Sequence, residues 1–178
     1  RDKLKLINNA YETEKILKSK KNNNGVYLVP AFTGLGAPYW SSNSRGLLSG
    51  ITRSTDWKDI VRAVIESVAY QSFDLFKAMN RDGLKPNVVK VDGGMVSNNW
   101  FSQFLSDILA IKVIRPKIYE TTALGAAFMA GLYISEFNSL KSISKKWKID
   151  KRFNPKINKS SRIKLLKGWK QAIKKTLI

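Results

Sequence analysis

The segment Val88-Val89-Lys90-Val91-Asp92-Gly93-Gly94-Met95-Val96-Ser97-Asn98-Asn99 runs a β-branched strand pattern into two glycines and then into a helix start. Glycine reaches positive φ without a Cβ penalty, so a paired glycine lets the backbone turn tightly and come close to a ligand. The first N–H groups of the following helix have no intrahelical acceptor, and they make a partially positive site for an anion. Asn98 stands where its side chain can cap that helix or donate outward. Taken alone, the pattern suits a purely structural turn as well as a phosphate cradle. Neither G-x-G-x-x-G nor the G-x-x-x-x-G-K-[ST] pattern occurs, so a Rossmann dinucleotide site and a Walker-type phosphate loop find no support.

Outward from this turn, strand and helix signals alternate. Apolar spacing predicts a helix over Leu4 to Lys20, ended by the Lys-Asn run before Gly25, and then a short strand from Val26 to Val29. The loop Phe32 to Trp40, with Gly34-Leu35-Gly36 between Pro30 and Pro38, cannot be regular structure. Its G-x-G is undecided between a backbone cradle and a rigid loop, and Tyr39 and Trp40 are expected to pack back on the core. After a short apolar run from Gly46 to Thr52, a long helix extends from Asp56 until Gly83 and Pro86. Beyond the glycine turn the pattern predicts a helix from Asn98 to Ala110 and a strand from Ile111 to Ile114. An alanine- and glycine-rich helix over Ala123 to Leu132 follows, able to pack closely on neighbouring backbone. Two helical pieces are expected past Phe137, the last with Ile163, Leu166, Trp169, Ile173 and Leu177 on one face. This order favours an α/β layered domain with parallel strands.

The 178 residues, 43% of them hydrophobic, can bury one sizeable core. There is no cysteine and no histidine, which removes disulfides, thiol nucleophiles, imidazole bases and the usual zinc ligand sets. No apolar stretch approaches a membrane span and no secretory leader is evident, so a cytoplasmic location is expected. The net charge of +19 is uneven: from Ser139 onward 14 basic residues face a single acid, Asp150. Scattered lysines of this kind mostly solvate a surface. A basic module for nucleic acid or an anionic membrane is the alternative, which the salt dependence of binding would reveal.

Several segments carry a family resemblance. Val26-Tyr27-Leu28-Val29-Pro30-Ala31-Phe32-Thr33-Gly34-Leu35-Gly36-Ala37-Pro38-Tyr39-Trp40 is closely similar to glycerol kinases. Gly46 to Glu66 fits the second signature of the FGGY carbohydrate kinases, continued by Ser67 to Gln71. Val91 to Asn99 is similar to the adenosine motif of that family, and Thr122-Ala123-Leu124-Gly125-Ala126-Ala127 to the helix start that follows it. The likeness covers nearly the whole chain, most weakly at Lys15 to Asn24 and after Ser139.

The resemblance implies an actin-like ATPase (ribonuclease H-like) fold, α/β in class, with ATP and glycerol in a cleft between two domains. Residues 1–138 would be the nucleotide-binding C-terminal domain, incomplete at its N-terminal side, and residues 139–178 a basic helical extension packed on it. By motif, Gly94 and Asn98 match nucleotide contacts, with Gly93 beside them. The aspartate base, the Mg2+ site and the phosphate-binding hairpin of these kinases are matched by no motif here, so no catalytic or metal-ligating residue is assigned. Asp92 and Glu120 lack any positional argument for a catalytic role. The resemblance further implies ATP and ADP as partners, glycerol bound through the N-terminal domain, a homo-oligomer at full length, and no specific nucleic-acid or membrane partner. The chain alone is expected to be inactive and poorly soluble, with apolar surface exposed. A kinase for another polyol or sugar stays open, because the residues that read the substrate would lie elsewhere.

Overall fold

A computed structural model describes residues 2–118 and 120–177. In chain order the elements are α1 (Glu12–Ser19), β1 (Tyr27–Val29), β2 (Leu47–Ser49), α2 (Trp57–Arg81), β3 (Val88–Lys90), a 3-10 turn (Gly94–Ser97), α3 (Asn99–Leu109), β4 (Lys112–Pro116), α4 (Thr121–Tyr133), α5 (Leu140–Ser144), β5 (Ile149–Phe153) and α6 (Lys159–Thr176). β3 and β4 pair in parallel, as the alternation predicts. The expectation of parallel strands fails elsewhere. β1 and β2 form a separate antiparallel pair, and β5 adds antiparallel to β4. β5 lies where only helices were expected. Its residues are mostly charged, but Phe153 is buried, and pairing with β4 satisfies a backbone that lysine-rich composition disguises.

The helix expected from Leu4 begins only at Glu12, after turns in which Leu4 is 77% exposed. α2 starts where it does because of a capping box. The Asp56 side chain accepts from Lys58 N and Asp59 N, and the Asp59 side chain accepts from Asp56 N. Twenty-five residues make α2 about 37 Å long, the spine on which α1, α3 and β1 pack.

The core centres on Tyr70 of α2. Its ring stacks on Trp169 of α6 at 5.3 Å and meets Phe104 of α3 edge-on at 5.6 Å, with Tyr27 of β1 tilted at 5.7 Å. Burying side chains of this size stabilises by about 1.5–3 kcal/mol each, enough to dock α6 although most of its length is polar. Two buried carboxylates on α2 hold remote loops in place. Glu66 accepts from Arg62 Nε at 2.6 Å, Tyr70 Oη at 3.0 Å and Asn23 Nδ2 at 3.2 Å. Asp74 accepts from Trp169 Nε1 at 2.6 Å and Tyr39 Oη at 2.8 Å, tying α6 and the Phe32–Trp40 loop to the same helix.

α4 is packed less than its composition suggests. Of its residues only Gly131 is buried, under Phe137, while Met129 and Tyr133 are 55% and 90% exposed. No helix among the described residues is long and apolar enough to cross a membrane.

Candidate functional site

The chain leaves β3 and reaches Gly93 with φ 81° and ψ 171°, a conformation that only glycine adopts without strain. The 3-10 turn Gly94–Ser97 follows, and then α3, capped by Asn98, whose Oδ1 accepts from Phe101 N at 3.0 Å. Among the described residues the N–H groups of Gly94 and Met95 meet no acceptor. Gly94 has ordinary φ, and a Cβ built on it would touch nothing within 4 Å. The backbone here does not require glycine; the space in front of it is open.

Gly93, Gly94 and Asn98 therefore lie together in one turn. Residues remote in sequence fix that turn. Asn98 Nδ2 donates to Thr13 Oγ1 at 3.2 Å and Asn99 N to Glu14 Oε2 at 3.1 Å, both on α1. Burial by itself raises the Glu14 carboxyl; its contacts with Lys18 and Asn99 outweigh this and hold it below the usual carboxylate range. From below, the Arg115 guanidinium of β4 donates to Val96 O at 2.6 Å and Ser97 O at 3.1 Å, and to Asn99 Oδ1 at 3.2 Å. Asp150 of β5 pairs with Arg115 at 2.6 Å. This cation takes up carbonyls at the end of the 3-10 turn, so the open amides face outward from a braced backbone.

Sequence reasoning missed Thr13, Glu14, Arg115 and Asp150. An arginine within the strand pattern before Pro116 was a usable signal that something polar lies against β4, but it does not name the partner. Asp92, without a positional argument for catalysis, hydrogen-bonds Thr121 Oγ1 at the start of α4 and so links the glycine turn to that helix. Glu120 makes no capping bond there. Among the described residues no three acidic side chains gather into a metal-holding group.

The second glycine loop is separate. Thr33, Gly34, Leu35, Gly36, Trp40 and Ser42 line a shallow cavity of about 350 Å3. Tyr39 packs back as expected; burial and the adjacent Asp74 carboxylate raise its hydroxyl above the ordinary tyrosine value. Trp40 does not pack back, standing 79% exposed.

Residues 3–133 match the model for the C-terminal domain of the FGGY family of carbohydrate kinases. The chain is 51% identical over 173 residues to a glycerol kinase of Alteromonas mediterranea, covering 97% of this chain and 35% of that protein. It is 49% identical over 175 residues to glycerol kinase 1 of Pseudomonas aeruginosa, covering 98% and 35%. The crystal structure of Plasmodium falciparum glycerol kinase with ADP superposes with a TM-score of 0.87 at 38% identity, over 99% of this chain and 35% of that one. A ligand-bound xylulose kinase from Lactobacillus acidophilus, at 21% identity and TM-score 0.76 over 96% of this chain and 35% of its own, shares the fold. The chain thus spans about a third of the length of the curated relatives it matches.

Proposed function

Because this chain belongs to the FGGY family of carbohydrate kinases, we propose that it forms the nucleotide-holding wall of an ATP-dependent glycerol kinase, which converts glycerol and ATP to glycerol 3-phosphate and ADP. Its mixed α/β fold is that of the C-terminal domain in this family, with the actin-like ATPase architecture. The observation that carries the reading is the glycine turn: unbonded amides of Gly94 and Met95, open space before Gly94, and a backbone braced by Arg115. There the amides and Asn98 contact the nucleotide, and Gly93 gives the turn its shape.

Phosphoryl transfer depends on positioning and charge stabilisation by several parts at once. We assign to this chain the first of these: holding ATP while the cleft closes. The aspartate base, the residues that read glycerol and the Mg2+ site belong, in this proposal, to the larger remainder of such a kinase. The apolar outer side of α4, with Met129 and Tyr133 exposed, fits a surface that this remainder covers. Homo-oligomerisation of the full-length kinase and a cytoplasmic location complete the proposal.

Calorimetric titration of ATP into the chain, with Asn98→Ala as control, tests the nucleotide site. Binding that is lost in the variant supports it, whereas equal binding by both refutes the placement. Adding the N-terminal two-thirds of a glycerol kinase should restore glycerol phosphorylation that the chain alone lacks. Turnover by the chain alone would overturn the division of roles.

A further inference from the structure

A second cavity, of about 710 Å3, opens where residues 21–25, α2, α3 and α6 meet. This is the size of a small-molecule site, for which about 300–1,000 Å3 is usual. On α3 its wall is Trp100, Phe104 and Asp107, spaced along one side of the helix. None of the residues of the glycine turn, Gly93 to Asn98, lines this cavity.

The chemistry of the cavity is specific. Trp100 stacks on Phe104 at 4.9 Å, and Leu165 of α6 lies across from them, so an apolar slot is left incompletely filled. The charged side chains inside it are held by neighbours. Arg62 lies 4.8 Å over the Trp100 ring, with its Nε on Glu66 at 2.6 Å and its Nη1 on Lys20 O. Asp107 Oδ1 accepts from Gln103 Nε2 at 3.0 Å, Lys156 N at 2.6 Å and Ile157 N at 3.4 Å, three donors that hold this oxygen in the wall. Lys21 and Lys164 also line the cavity, both exposed and neither bonded to a partner among the described residues.

We propose that this cavity binds a small organic anion with a flat apolar body, its ring in the slot between Trp100 and Leu165 and its carboxylate or phosphate between Lys21 and Lys164. The slot supplies desolvation of the ring, and the two ammonium groups supply orientation and selection for charge. The site is distinct from the proposed nucleotide contacts, and it bridges α6 to α3, so its occupant also fastens the C-terminal helix to the core.

Calorimetry on the full chain with 2-naphthoate and 2-naphthyl phosphate, against neutral 2-naphthamide, tests this. Binding of either anion is expected, with the amide weaker by about tenfold or more. Lys21→Glu combined with Lys164→Glu should weaken the anion by a similar factor. Lys170→Glu combined with Lys174→Glu, an equal charge change elsewhere on α6, should leave it nearly unchanged. Failure of both anions to bind, an amide that binds equally well, or equal losses in the two double variants would each overturn the proposal; the last would leave only general charge attraction.

Discussion

Replacing Arg115 by methionine tests whether the glycine turn is braced from β4. The variant keeps the apolar stem and removes the guanidinium, which donates to Val96 O and Ser97 O and pairs with Asp150. Hydrogen bonds from a charged donor contribute about 1.5–3 kcal/mol each. Part of that is retained, because Val96 O still accepts from Ser102 Oγ at 3.1 Å and Asn99 Oδ1 from Lys151 Nζ at 3.3 Å. Asp150 is 42% exposed and rehydrates, so its ion pair is worth about 0–1 kcal/mol. The expected loss is therefore about 2–4 kcal/mol, which with a urea slope of about 2 kcal/mol/M lowers the unfolding midpoint by about 1–2 M. Arg115→Lys, which regains the ion pair but cannot reach both carbonyls in one plane, should fall between the two. ATP affinity, measured where both variants are folded, should drop in the same order. A midpoint that moves by less than about 0.3 M, or an unchanged ATP affinity, would refute the bracing role.

Three further outcomes follow from other positions. Gly93→Ala should cost about 1–3 kcal/mol, because φ 81° with ψ 171° strains any side chain, whereas Gly94→Ala should leave the denaturation midpoint unmoved and weaken ATP binding by filling the open approach. Similar stability losses in both, by urea titration, would contradict this separation. Gly168→Ala should loosen α6, since its Cβ would run into the Tyr27 ring; a lower thermal midpoint and faster amide exchange in α6 are expected, and unchanged exchange would show that the helix has room. Burial alone would raise the Asp59 carboxyl, yet bonds from Asp56 N, Lys20 and Asn24 hold it below the ordinary aspartate value. A carboxyl depressed on folding stabilises above its unfolded pKa of about 3.9, and the benefit disappears as pH falls through the folded value. The stability gap between the chain and Asp59→Asn should thus be constant from neutral pH down to about pH 5 and shrink below about 4; a gap constant to pH 2 would dismiss the linkage.

The sequence by itself determined what is local. The capped start of α2 at Asp56 and the strand, glycine pair and asparagine from Val88 to Asn98 depend on neighbours within a few turns of chain. The family likeness likewise resides in contiguous motifs. Tertiary structure decided what depends on partners far along the chain. Thr13 lies 85 residues from Asn98, and Arg115 lies 19 from Val96, so no periodicity could pair them. β5 became a strand because β4 offered an unpaired edge and a place for Phe153, although its own composition is that of a solvated surface. The early turns before Glu12 show the converse: apolar spacing over Leu4 to Lys20 was compatible with a helix, but only α1 found α2 and α3 to pack against, and a short helix in water without a buried face is marginal.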